Sequence, residues 1–204
     1  MSQRGKLITL EGVDGAGKST HLDFIADAIR SEGRHVIVTR EPGGTALGER
    51  LRAAILEHPM QPLLETLLLF AARADHVARV IRPALEAGSW VVCDRFSDAT
   101  AAYQGAGKGV PSELIGHLRD AVHPALSPDR TLVFDCSYET AWKRLKASGK
   151  ALDRFEREDR AFFERVRGAY LSTARAEPER MRVIDAGADI AEIRQAIASS
   201  LEGL

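Results

Sequence analysis

The chain has 204 residues, 45% hydrophobic and 28% charged, a length that suits one domain and an apolar content that excludes general disorder. Its 28 lysines and arginines stand against 29 aspartates and glutamates, a formal net charge of −1. No whole-molecule basic field exists to hold nucleic acid, so any bound anion must be gripped locally.

Apolar runs such as Leu67–Ala72 fall far short of the roughly 20 residues that cross a bilayer. The polar start, Met1–Lys6, lacks a signal-peptide pattern, so a cytoplasmic protein with no membrane partner is expected. Cys93 and Cys136 are the only cysteines and read as buried free thiols rather than a disulfide framework.

Leu7–Leu10 reads as a first strand, and Leu22, Ile25, Ala26 and Ile29, spaced i, i+3, i+4 and i+7, as the helix that follows. Val36–Thr39 is a second strand, closed by a Pro- and Gly-rich loop over Glu41–Thr45. Val77, Val80, Ile81, Ala84 and Leu85 trace a helical stripe ahead of the third strand, Trp90–Cys93. Gly105–Pro111 reads as a loop, and Leu114, Leu118 and Val122 as the next helix. A fourth strand, Leu132–Phe134, precedes a charge-dense stretch over residues 147–160 that suits a lid. Phe163, Val166 and Tyr170 mark a further helix, Met181–Ile184 the fifth strand, and Ile190, Ile193, Ile197 and Leu201 the closing helix. The strand runs lack polar alternation, as in parallel sheets covered on both faces. One domain over residues 1–204 is expected, a three-layer α/β/α fold around a five-stranded parallel sheet. Ligands should sit at the carboxyl ends of its strands.

Directly after the first strand stands Gly12-Val13-Asp14-Gly15-Ala16-Gly17-Lys18-Ser19, a complete G-x-x-x-x-G-K-S that opens the first helix. Glycines there let backbone N–H groups turn inward around phosphates, and the helix N-terminus favours anions. Gly12, Gly15, Ala16, Gly17, Lys18, Ser19 and Thr20 are the expected triphosphate cradle. Lys18 reaches the β and γ phosphates and Ser19 ligates Mg²⁺. P-loops serve many proteins, but the chain contains no asparagine, which removes an Asn-Lys-x-Asp guanine reader. Its third strand ends Asp94-Arg95 rather than in the paired acids of motor ATPases. Arg40, Arg52, Arg73 and Arg95 recur near strand ends, where guanidinium forks would bind a second phosphate facing the first. The six histidines show no metal-ligand spacing, and no zinc is expected.

In order along the chain stand the P-loop with Asp14, Thr39-Arg40-Glu41-Pro42-Gly43-Gly44-Thr45, Phe70-Ala71-Ala72-Arg73, Asp94-Arg95-Phe96 and Ala102-Tyr103-Gln104-Gly105. From about Lys6 to the C-terminal helix, the chain resembles the bacterial thymidylate kinases. The resemblance implies a P-loop NTPase fold and transfer of the γ-phosphate of ATP to dTMP, with Mg²⁺, in a homodimer. It also implies that Arg95 grips the acceptor phosphate with help from Arg52, that Arg73 addresses a thymine carbonyl, and that Arg40 is structural. Thr100 and Gln104 match residues that read the base edge. Tyr103 stands where a ribose 2′-hydroxyl would crowd it, and Asp14 matches a contact to the 3′-hydroxyl. Asp94 holds Mg²⁺ through water or pairs with an arginine. The transition-state arginine is Arg154 of the lid, since the P-loop position that carries it in one class of relatives is Gly15. Many relatives place an aromatic four residues before the base-reading arginine; here that position is Leu69 and Phe70 stands three residues before it, so either Leu69 or Phe70 covers the base, and Phe70 reads equally as a stacking or a core residue. Adenine is expected near Arg144 and the Asp185-Ala186 turn.

Overall fold

The structure, a computed structural model, describes residues 4–204; Met1–Gln3, within the polar start of the chain, lie outside the described residues. Among these residues the five apolar runs form one parallel sheet. Its strands are β1 (Leu7–Gly12), β2 (Val36–Arg40), β3 (Trp90–Asp94), β4 (Arg130–Asp135) and β5 (Met181–Asp185), in the order β2-β3-β1-β4-β5. Leu10 of β1 lies opposite Asp94 of β3 on one side and Leu132 of β4 on the other. The chain steps from β1 out to β2, back to β3 and across to β4. The strand order therefore switches beside β1, where its carboxyl end opens a crevice.

Period-two alternation sends the two sets of strand side chains into different layers. Leu7, Val91 and Cys93 pack with Val77, Ile81, Ala84 and Leu85, whereas Ile8, Leu10, Val92, Leu132 and Phe134 join the core containing Ile25, Val166, Ile193 and Ile197. Those partners come from α1 (Lys18–Ser31), α8 (Arg160–Ala176) and α9 (Ile190–Leu201), the last opened by a reciprocal Asp189/Glu192 cap. Between them lie α2 (Ala46–Glu57), α3 (Pro62–His76), α4 (Arg82–Glu86), α5 (Ser97–Thr100), α6 (Ser112–Val122) and α7 (Tyr138–Ala147).

Several expectations shift by a position. The edge strand β2 is not covered on both faces, and Ile37 and Val38 stay partly exposed. In α8 it is Phe162 rather than Phe163 that is buried with Val166 and Tyr170, and Ile190 is 56% exposed. Part of the expected loop at Gly105–Pro111 is helical, because α5 runs straight into a π-helical stretch, Ala101–Gly107. Wide π turns are concentrated at functional sites, and this one carries Tyr103 and Gln104.

Candidate active site

At the end of β1, Gly12 adopts φ +129°, and a Cβ there would collide with the Phe134 carbonyl oxygen of β4. Only glycine lets the P-loop leave the sheet at this angle. Gly17, at φ +90°, caps α1 without a side chain, and the first turn of α1 carries no acidic residue. The helix N-terminus is thus left open toward an anion. Gly15, Ala16, Gly17, Lys18, Ser19 and Thr20 line one wall of a cavity of about 850 Å³. The Lys18 ammonium bends back to donate to the carbonyl oxygens of Gly12 and Val13, both at 3.0 Å.

Facing this cradle, Arg95 takes the left-handed conformation, φ 68°, an arrangement that costs a non-glycine residue about 1 kcal/mol or more and concentrates at functional sites. Its side chain is over-determined. Nη1 donates to the Gly12 carbonyl at 3.0 Å, and Nη2 to Asp14 Oδ1 at 2.5 Å and to the Tyr103 hydroxyl at 3.0 Å. Tyr103 in turn donates to Asp14 Oδ2 at 2.8 Å, and the guanidinium lies 4.7 Å over the Tyr103 ring. Lys18 and Arg95 therefore meet on one carbonyl oxygen, that of Gly12. Burial and the Arg95 charge push the Lys18 pKa down to about 8, against the pull of Asp14, Asp94 and Glu11. Burial opposes ionisation of Asp14, but Arg95, Lys18 and the Tyr103 hydroxyl outweigh it and hold its carboxyl below the usual range. Among the described residues Asp94 makes no ion pair, and its Oδ1 is buried with no partner. An exposed Ser19 and an unsatisfied carboxylate oxygen on the same cavity fit a hydrated divalent cation.

The opposite end of the cavity is lined by Arg52, Leu69, Arg73, Thr100 and Gln104. Arg73 is 2% exposed. Its Nε donates to Glu41 Oε2 at 2.6 Å, and Nη2 to the Phe96 carbonyl and the Thr100 hydroxyl at 3.2 and 3.1 Å. Nη1 is buried with no partner among the described residues. Glu41 also meets His76 Nδ1 at 2.9 Å, and His76 Nε2 meets Thr39 at 2.7 Å. Burial would raise the Glu41 pKa, but Arg73 and His76 hold it low. Arg52 donates to the Pro42 carbonyl at 3.2 Å. Arg40 also lines the cavity and is paired with Glu49 at 2.9 Å.

Three expected residues do not line the cavity: Gly12 is buried, its carbonyl held by Lys18 and Arg95, and Phe70 and Arg154 are engaged elsewhere. Phe70 packs with Val110 and Ile115, with the Arg73 guanidinium 4.8 Å from its ring centre, and Leu69 takes the cavity-lining place. One residue is about 100° around a helix, enough to move the aromatic from cavity wall to core. Arg154 does not reach the P-loop: its Nε donates to the Ile55 carbonyl, Nη2 lies against the Glu65 carboxylate, and the guanidinium stacks on Phe155. In this lid position it stands on the acceptor side. Arg144 bonds the carbonyls of Ala16 and Ala186, at 3.4 and 2.8 Å, as a floor for the donor end of the cavity.

Three buried carboxylates were not singled out in the sequence: Glu11, Glu41 and Glu65. Glu11 accepts from the Phe96 amide at 2.7 Å and the Tyr170 hydroxyl at 2.8 Å. Burial and neighbouring Asp98 push its pKa up to about 8, despite Arg95 and these two hydrogen bonds. A glutamate ending an otherwise apolar strand was the only available signal for it, and Glu41 lay inside a motif already quoted. Glu65 had none.

The family model described as thymidylate kinase matches residues 10–197. A thymidylate kinase of Bordetella petrii is 53% identical over 204 residues, 100% of this chain and 98% of that protein. One from Cupriavidus necator is 56% identical over 94% of this chain and 95% of its own. The crystal structure of thymidylate kinase from Ehrlichia chaffeensis superposes with a TM-score of 0.80 at 32% identity, covering 98% of this chain and 99% of that one.

Proposed function

The chain belongs to the thymidylate kinase family, enzymes that phosphorylate dTMP to dTDP with ATP, and from that premise we propose how its residues carry the transfer. The triphosphate of ATP lies in the loop from Gly12 to Thr20, with Lys18 on the β and γ phosphates. The dTMP phosphate sits against Arg95, assisted by Arg52. An oxygen of that phosphate attacks the γ phosphorus, the bond from phosphorus to the β–γ bridging oxygen breaks, and ADP leaves with the electron pair. The attacking oxygen is already anionic, so neither a general base nor a covalent enzyme intermediate is required. Mg²⁺, held by Ser19 and through water by Asp94, would neutralise charge on the β and γ phosphate oxygens.

Arg73 offers its free Nη1 to a base carbonyl while Thr100 steadies the same guanidinium. Gln104 reads the base edge, Leu69 rather than Phe70 covers the base, Tyr103 crowds a ribose 2′-hydroxyl, and Asp14 takes the 3′-hydroxyl. Arg154 leaves Glu65 as the lid, residues 147–160 of the single 1–204 domain, closes over both substrates. Exposed Leu63, Leu64 and Leu67 of α3 and Leu47 of α2 support a homodimer through this face, which sedimentation velocity tests. No described helix is long and apolar enough to cross a membrane, in keeping with a cytoplasmic site of action.

One observation carries the reading: the Gly12 carbonyl accepts from both Lys18 and Arg95, so the two cations assigned to different phosphates line one cavity and converge on one atom. A coupled ADP-release assay with ATP, Mg²⁺ and dTMP tests it, with dUMP, UMP and AMP as competing acceptors. Lys18→Ala and Arg95→Ala are expected to stay folded and lose turnover. Unaltered turnover in Arg95→Ala contradicts the assignment.

A further inference from the structure

Glu65 is 0% exposed, yet it carries a charge in the wall between the acceptor end of the cavity and the lid. Oε1 accepts from Gln104 Nε2 at 2.7 Å, and both carboxylate oxygens accept from Lys108 Nζ at 2.9 Å. The Arg154 guanidinium of the lid presses against Oε2. An ionised carboxylate only accepts hydrogen bonds, so the Gln104 amide has one orientation open to it, nitrogen toward Glu65. Its carbonyl oxygen is left with no hydrogen bond among the described residues, and Gln104 lines the cavity. Arg73 lines the same cavity, and its Nη1 is a donor unpaired among the described residues. A donor and an acceptor lining one cavity complement a pyrimidine imide edge, a carbonyl next to a ring N–H.

We propose that Glu65 is a positioning residue that fixes the Gln104 amide with its carbonyl toward the base, and thereby makes the pocket select a pyrimidine whose N3 carries a hydrogen. The inference rests on the placement of dTMP described above. A cytosine ring presents N3 as an acceptor and is refused by that carbonyl, lone pair against lone pair. Lys108, and Arg154 until the lid closes, make the arrangement one-way as the base enters. In Glu65→Gln these two cations claim the single remaining carbonyl oxygen before closure, the new amide nitrogen faces Gln104, and Gln104 turns its own nitrogen toward the base.

The test compares kcat/KM for dTMP and dCMP in the wild type, Glu65→Gln, Glu65→Asp, Gln104→Ala and the double variant Glu65→Gln/Gln104→Ala, each checked for a cooperative melt. Glu65→Gln is expected to lower the dTMP-to-dCMP ratio by about tenfold, the scale of a lost and inverted hydrogen bond in a buried site. The loss should appear in KM for dTMP more than in kcat. Glu65→Asp, still acceptor-only, should keep most of the ratio, and the double variant should discriminate no worse than Gln104→Ala. A folded Glu65→Gln with the wild-type ratio overturns the proposal, as does a further loss of ratio when Glu65→Gln is added to Gln104→Ala. If Gln104→Ala itself leaves the ratio intact, the placement of the base is what fails. Should Glu65→Gln not fold, a crystal structure of the wild type with dTMP decides. The Gln104 carbonyl about 3 Å from N3, with its nitrogen on Glu65, supports the proposal, and the reverse orientation overturns it.

Discussion

Lys18 sits in the P-loop with its pKa pushed down to about 8, first by burial and then by the Arg95 charge. A bound triphosphate brings several negative charges to the ammonium and raises that pKa well above the free value. The bound state therefore holds more protons than the free state in the window above pH 7, and nucleotide binding takes protons up. With a free pKa near 8, the uptake is about 0.1 proton per nucleotide at pH 7, about 0.5 at pH 8 and about 0.9 at pH 9. Affinity should be fully present below pH 8 and fall as pH rises beyond it, with a limiting slope of about tenfold per pH unit. Isothermal calorimetry of ATP binding with saturating Mg²⁺, in buffers of different ionisation enthalpy, reads the proton count as the slope of observed against buffer enthalpy. Lys18→Met should abolish the uptake at pH 8. A slope of zero in the wild type at pH 8, or an unchanged slope in Lys18→Met, would refute the assignment of that ammonium to the phosphates.

Removing Arg73 strands the buried carboxylate of Glu41, so Arg73→Met should cost about 3–5 kcal/mol in urea unfolding; a loss under 1 kcal/mol would mean the pair is not a buried charge pair in solution. The Glu11 carboxyl has a folded pKa of about 8 against an ordinary 4.5, so its contribution to stability is present at low pH and lost as pH rises from about 4.5 through 8. Melting temperatures of Glu11→Gln should accordingly gain on the wild type between pH 5 and pH 8.5, whereas a constant difference contradicts the shift. Arg154→Ala should lower kcat by about a hundredfold or more in steady-state assays; a loss below tenfold would make Arg154 an ordinary surface charge resting on Glu65.

The P-loop and the succession of strands and helices along the chain were legible because both are local. Gly12 to Ser19 is contiguous, and the apolar runs from Leu7 to Ile184 keep their period within a few residues. Residues that act by meeting distant partners were legible as a group of strand-end arginines, as with Arg95, only through resemblance, as with Tyr103, or not at all. Glu65 lies among leucines on α3 and carries no local mark that separates a buried carboxylate from a solvated one. Its three partners come from the Ala101–Gly107 turn, Lys108 beyond it and the lid. Phe70 illustrates a finer failure: sequence places an aromatic on the right helix, but core or cavity depends on a single residue step and on the neighbours Val110 and Ile115. The left-handed backbone of Arg95 was equally silent, since nothing in Asp94-Arg95-Phe96 demands it.

Direct transfer between two phosphates that meet beside Gly12 has a stereochemical signature. ATP made chiral at its γ phosphorus with oxygen isotopes, incubated with Mg²⁺, dTMP and the wild-type enzyme, should yield dTDP whose transferred phosphoryl group has inverted configuration. Retention would require two successive displacements through a phosphorylated residue, and would contradict the account.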